Sequence, residues 1–86
     1  MSSSLHAGID VDGTDVLVQN NIATGNGDDG IRTSHTAARV TLVNNITNGN
    51  ADLGIQTVSG TAIDGGGNRA SGNLDPRQCL RIACTP

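Results

Sequence analysis

The 86 residues include no Phe, Tyr or Trp, and neither Lys nor Glu. Without aromatic rings, a core of this size has none of the side chains that normally supply most of its buried area. Six Val, seven Ile and six Leu must build a thin aliphatic core instead. Without Lys and Glu, the best charged helix formers are missing, and 38 positions are Gly, Asn, Thr or Asp. Such a chain turns and bends, which argues against a helical bundle. No apolar run approaches the roughly 18 residues of a membrane span. The opening Met1-Ser-Ser-Ser-Leu5 has no basic region and no long apolar stretch, so it does not read as a signal peptide. Five scattered Arg against eight Asp give a net charge of −3, which points away from nucleic acid and anionic membranes as partners. The length allows one domain.

What is present is a repeat. Residues 16–31, VLVQNNIATGNGDDGI, lie over residues 40–55, VTLVNNITNGNADLGI, with nine of 16 positions identical at an offset of 24. A weaker third copy follows at an offset of 23, where Asn68, Gly72 and Asn73 continue the columns of Asn45, Gly49 and Asn50. Upstream, Gly8-Ile9 precedes Gly30-Ile31 by 22 residues and ends an earlier unit. The repeat therefore covers residues 8–75, a far longer agreement than chance gives in a Gly/Asn-rich chain.

Within a unit the apolar residues alternate: Val16, Val18, then Ile22; Val40, Leu42, then Ile46. Period two with β-branched residues predicts strands with one buried face. Each run is short and broken by Asn-Asn, Gly-Asn or Gly-Thr, so a unit of 22–24 residues holds about three strands and three bends. The same column recurs once per unit and not once per strand, which rules out hairpin partners. The expected fold is all-β, a coil closing on itself in which each strand pairs in parallel with its copy one turn along. Stacking at about 4.8 Å per coil places like residues over like. Asn20, Asn21, Asn44, Asn45 and Asn68 are then expected as a stacked amide ladder at a bend, bonding unpaired backbone and tolerating the left-handed conformation. Gly30 and Gly54, each before an Ile, are expected to supply positive φ or close backbone approach.

The apolar alternation with Asn-Asn-Ile, Gly-Asn and Asp-(Asp or Leu)-Gly-Ile resembles the right-handed parallel β-helix, pectate-lyase-like family. The tail Gly65-Gly-Gly-Asn-Arg-Ala-Ser-Gly-Asn73, then Asp75-Pro-Arg-Gln-Cys79 and Ile82-Ala-Cys84, is similar to the last coil and C-terminal cap of secreted bacterial members. The resemblance implies about three right-handed coils over residues 8–75, a cap at 76–86, and a flexible segment at 1–7. It also implies an extracellular location and a longer parent protein, of which this chain is a C-terminal fragment or module. It further implies a disulfide between Cys79 and Cys84; two free thiols in a reducing compartment are the alternative. Since five extended residues span about 16 Å and a bridge needs Cα atoms within about 7 Å, the segment must then double back. His6 and His35 lack ligand spacing to these cysteines, so no zinc site is expected.

The resemblance is specific for fold and poor for activity, because the family includes lyases, hydrolases, epimerases and noncatalytic modules. Asn26-Gly-Asp-Asp-Gly-Ile31 resembles the Gly-Asp-Asp motif of polygalacturonases, in which paired carboxylates divide acid and base roles. Asp28 and Asp29 are thus candidate catalytic residues, but the Gly-His-Gly and Arg-x-Lys motifs of those enzymes are missing, and a solvated turn is the expected state of the pair. Asp28 and Asp52, stacked with Asp29 beside them, are candidate calcium ligands whose repulsion a divalent ion would relieve. Asp10-Val-Asp12-Gly-Thr-Asp15 starts like an EF-hand loop but lacks its twelfth-position Glu. One Thr33/Thr57 column is too little for an ice-binding face. The Asn45-Ile-Thr47 sequon reads as a ladder position.

The expected role is therefore that of a noncatalytic module with a structural or interaction function. The alternative is a remnant of a carbohydrate-active protein that binds acidic polysaccharide through Asp28, Asp29, Asp52 and Arg32, without the aromatic stacking usual at sugar sites. The first coil of a solenoid exposes strand edges, so end-to-end pairing of copies through the N-terminal coil is expected, or marginal stability if the chain is monomeric.

Overall fold

The computed structural model describes residues 7–34, 36–58 and 62–86. His6 and His35 lie outside them, as does the proposed segment at 1–7 except for Ala7, which is buried. Among the described residues there is no helix. Ten strands follow one another: β1 (Ile9–Val11), β2 (Leu17–Gln19), β3 (Ile22–Thr24), β4 (Ile31–Thr33), β5 (Val40–Val43), β6 (Ile46–Asn48), β7 (Ile55–Gln56), β8 (Ala62–Gly66), β9 (Arg69–Ser71) and β10 (Cys79–Leu80).

The strands visit three sheets in strict rotation. The first sheet has the order β1-β4-β7-β10, the second β2-β5-β8 and the third β3-β6-β9. Every pairing is parallel, and register follows the repeat: Ile9 opposite Ile31 and then Ile55, Val18 opposite Leu42, Ile22 opposite Ile46. Val16 and Val40 are adjacent, since the Thr41 amide donates to the Val16 carbonyl at 2.8 Å. One apolar cluster draws on all three sheets, joining Val11, Ile31 and Ile55 to Val18, Val40 and Leu42 and to Ala23. This arrangement is compatible with a β-helix solenoid.

The corners differ from the expectation of unbroken alternation. Asn20, Gly25, Asn44 and Gly49 all have positive φ, between 54° and 66°. At each such corner the left-handed residue and the one before it both face outward, and the following Asn turns in. The step shifts the period by one. Ile22 is therefore 59% exposed and Ile46 only half-buried, while Ala23, Thr47 and Ala70 line the interior of the third sheet. A third corner, at Asp15 and Arg39, uses the same conformation (φ 57° and 51°), with the two side chains joined by an ion pair at 3.0 Å.

Residues 76–86 do more than cap. β10 adds a fourth strand to the first sheet, and Thr85 bridges Arg69 in parallel at the edge of the third. Cys79 and Cys84 form a disulfide with Cα atoms 6.2 Å apart, and both pack with Ile82 against the core cluster. The third unit is the irregular one. A bulge opposite Leu42/Val43 shifts the register, and Asp64 stands opposite buried Leu42. The Asp64 carboxylate accepts from the Gly66 amide at 2.9 Å and from the Ala83 amide at 3.3 Å.

Candidate functional site

Two amide ladders run through the molecule, one behind each of the Asn-Asn and Gly-Asn corners. In the first, Asn45 Oδ1 accepts from the backbone N–H and Nδ2 of Asn21 (3.1 and 3.2 Å), and Asn68 Oδ1 accepts from the same two groups of Asn45 (3.2 and 3.0 Å). Asn45 and Asn68 are buried, and their amides also donate to the carbonyls of Val18 and Leu42. Asn20 and Asn44, expected in this ladder, are instead the exposed left-handed corner residues beside it. One Asn of each pair makes the bend and the other fills it.

The second ladder, Asn26–Asn50–Asn73, was visible as a column but not assigned a role. Its bonds repeat the first pattern at 2.8–3.0 Å. Gln78 closes it, its Oε1 accepting from the backbone and side chain of Asn73 at 3.1 and 2.7 Å. The column Gly8, Gly30, Gly54 packs directly on this ladder. A Cβ at Gly30 would lie 2.8 Å from Asn50 Nδ2, and one at Gly54 would lie 2.8 Å from Asn73 Nδ2. These glycines serve close approach, and neither Gly30 nor Gly54 has positive φ. The sequon residues Asn45 and Thr47 have no exposed surface. Thr33 and Thr57 are also interior, bonding Val58 N–H and the Leu80 carbonyl, so that column forms no surface array.

Beside the second ladder lies the acidic cluster. Asp29 is not part of a solvated turn: it has no exposed surface, and the position one repeat later is held by Leu53, 1% exposed. The sequence showed this only as an Asp/Leu mismatch. Burial came from the neighbouring repeat, whose Leu53 N–H donates to Asp29 Oδ1 at 2.9 Å. Among the described residues, Asp29 Oδ2 has no hydrogen-bond partner. Burial pushes the Asp29 carboxyl up to about 6; the Leu53 N–H pulls the other way, and the charges of Asp28 and Asp52 add to the rise. One carboxylate oxygen from each of Asp28, Asp29 and Asp52 lies within 4.8 Å of the others.

Arg32 faces this cluster from outside, bonding Asp28 Oδ2 at 3.0 Å and Asp10 Oδ2 at 2.9 Å. Gln56 replaces it one repeat on, so no basic stripe runs along that sheet. Asp28, Asp29, Asp52 and Arg32 thus form one site. The acidic residues at 10, 12 and 15 do not join as an ion-binding loop: Asp10 pairs with Arg32, Asp12 accepts from Ser34 and Thr36, and Asp15 pairs with Arg39. At the start of the stack, Ile9, Val11, Val16 and Val18 line a concave face of about 410 Å³ with Asp10, Asp12 and Asn21 at its rim. Comparison with known proteins returns no match of this chain to a family model, to a curated protein or to a solved structure.

Proposed function

We propose that the chain is a noncatalytic structural module, a right-handed parallel β-helix of about three coils, that works by stacking on another coil. Strict rotation through three parallel sheets around one shared core supports a closed path, and parallel crossovers are almost always right-handed. The observation that carries the function is the difference between the two ends. At the far end, Gln78 terminates the second ladder, and β10 and Thr85 cover two of the sheets. At the near end, among the described residues, β1, β2 and β3 are the outermost strands of their sheets, beside a concave face lined by Ile9, Val11, Val16 and Val18 together with Asp10, Asp12 and Asn21.

The ladders also have a direction. Each Oδ1 accepts from the repeat before it, and Asn21 Oδ1, on the first rung, has no donor among the described residues. A coil added in the same direction, with its own left-handed corner followed by Asn, brings the missing N–H and amide donors. A second copy docked face to face would set acceptor against acceptor. The end-to-end pairing expected through the N-terminal coil therefore takes a like coil in the same polarity.

The test is a copy of residues 30–53 placed ahead of Gly8, which then stands where Gly54 does. The lengthened chain is expected to melt several degrees higher and to remain monomeric by sedimentation equilibrium. An unchanged melting temperature, or a stable dimer of the original chain joined through β1–β3, overturns the proposal. Activity on polygalacturonate, or binding on a glycan array, would favour the carbohydrate-active alternative.

A further inference from the structure

The acidic cluster calls for an explanation that stacking does not give. A carboxylate without exposed surface occupies a slot that the next repeat fills with Leu53, and one of its oxygens meets no donor among the described residues. An unsatisfied buried polar group is destabilising, and a buried charge more so. The repeat is its own control: the same backbone position accepts leucine, so the fold does not require an acid there. The Leu53 N–H accounts for Asp29 Oδ1 but leaves Oδ2 unexplained.

The surroundings show what would satisfy it. Asp28 and Asp52 each bring an oxygen within 4.8 Å of Asp29's, a spacing that oxygens sharing one ion can have when its bonds are about 2.3–2.6 Å long. Both are half-buried, so waters can complete a shell. The three carboxylates carry net negative charge that Arg32, shared between Asp28 and Asp10, offsets only in part, and a divalent ion would neutralise the remainder. All donors are hard oxygens, with no described His or Cys among them, which favours calcium or magnesium over softer metals. Calcium tolerates irregular shells, whereas magnesium demands near-octahedral ones and keeps its waters.

We propose that Asp28, Asp29 and Asp52 form a calcium site that ties the turn of one repeat to the turn of the next. The ion bridges Asp28 and Asp52, 24 positions apart.

The test uses the full chain, freed of metal with a chelator and followed by far-UV circular dichroism and titration calorimetry at pH 7.5. Calcium is expected to bind at one ion per chain and to raise the melting temperature by several degrees at saturation. Sodium chloride of equal ionic strength is expected to give no such shift. Asp29→Leu, which copies the next repeat, is expected to fold, to melt no lower than the metal-free parent, and to lose the calcium shift entirely. Asp52→Asn, which is isosteric and keeps Asp29 in place, is expected to weaken calcium binding at least tenfold. Absence of a calcium shift in the parent, an equal shift with sodium chloride, or a shift retained in Asp29→Leu overturns the proposal.

Discussion

The first and second repeats carry nearly the same residues and hold them differently. Val40 has no exposed surface while Val16 is half-buried; Asn45 is fully enclosed while Asn21 is not; Ile46 is half-buried where Ile22 is 59% exposed. Among the described residues, the second repeat has strands on both sides, and the first has them on one. In a stacked architecture a residue is buried by its copies above and below as well as by the core, so position in the stack governs its energetic weight.

The sharpest way to break that comparison is to remove the same amide from each repeat. Asn45 accepts both bonds from Asn21 and donates to Val18 and Asn68. Asn45→Ala leaves several buried groups unsatisfied, and we expect a loss of about 3 kcal/mol or more in urea denaturation. Asn21→Ala at the outer rung is expected to cost about 1 kcal/mol. Equal losses would mean that stack position does not matter.

Next comes the Asp29/Leu53 difference, read through pH in metal-free buffer. The folded-state value of about 6 lies above the ordinary 3.8, so the folded protein holds this proton more tightly. The associated stability is fully present below about pH 4 and lost as pH rises through about 6, a loss of roughly 2–3 kcal/mol. Melting curves between pH 3.5 and 7.5 should show it (intervals set by the two values above), and Asp29→Leu should flatten that segment. A flat profile in the parent would show that Asp29 titrates normally.

At the covered end, Cys79→Ser or Cys84→Ser opens a loop of five-residue separation. The expected loss is about 2 kcal/mol, measured against the parent under non-reducing conditions. The smallest effect belongs to the outward-facing column: Ile22→Thr is expected to change stability by less than about 0.5 kcal/mol. A loss of 2 kcal/mol or more there would put Ile22 in the core after all.

Much of this was legible beforehand because the repeat offset is itself the strand register. Aligning Val16 with Val40 and Ile31 with Ile55 implies parallel pairing; Ile31 stands opposite Ile55, and Leu17, next to Val16, stands opposite Thr41, both at the offset of 24. The Asn45–Asn68 rungs were legible for the same reason. The roles of Asn20 and Asn44 were not, since either Asn of each pair can make the bend. The Gly-Asn column does not by itself reveal a ladder, because a corner glycine accounts for the bend without the amide that follows. Asp28 and Asp29 read as a solvated turn because adjacent acids in a Gly-rich stretch ordinarily face water.

The order of residues by itself determined that this protein is all-β, that its strands pair in parallel with their own copies, and which residue lies over which. These follow from periodicity, a property of a one-dimensional string. The tertiary structure alone decided which side chains point inward after each corner, that Asp29 is enclosed, and that residues 76–86 extend two sheets. A left-handed φ is adopted here by Asn, Gly, Asp and Arg alike, so no residue type marks the change of phase. Enclosure depends on the repeat stacked alongside, which no single stretch of sequence contains.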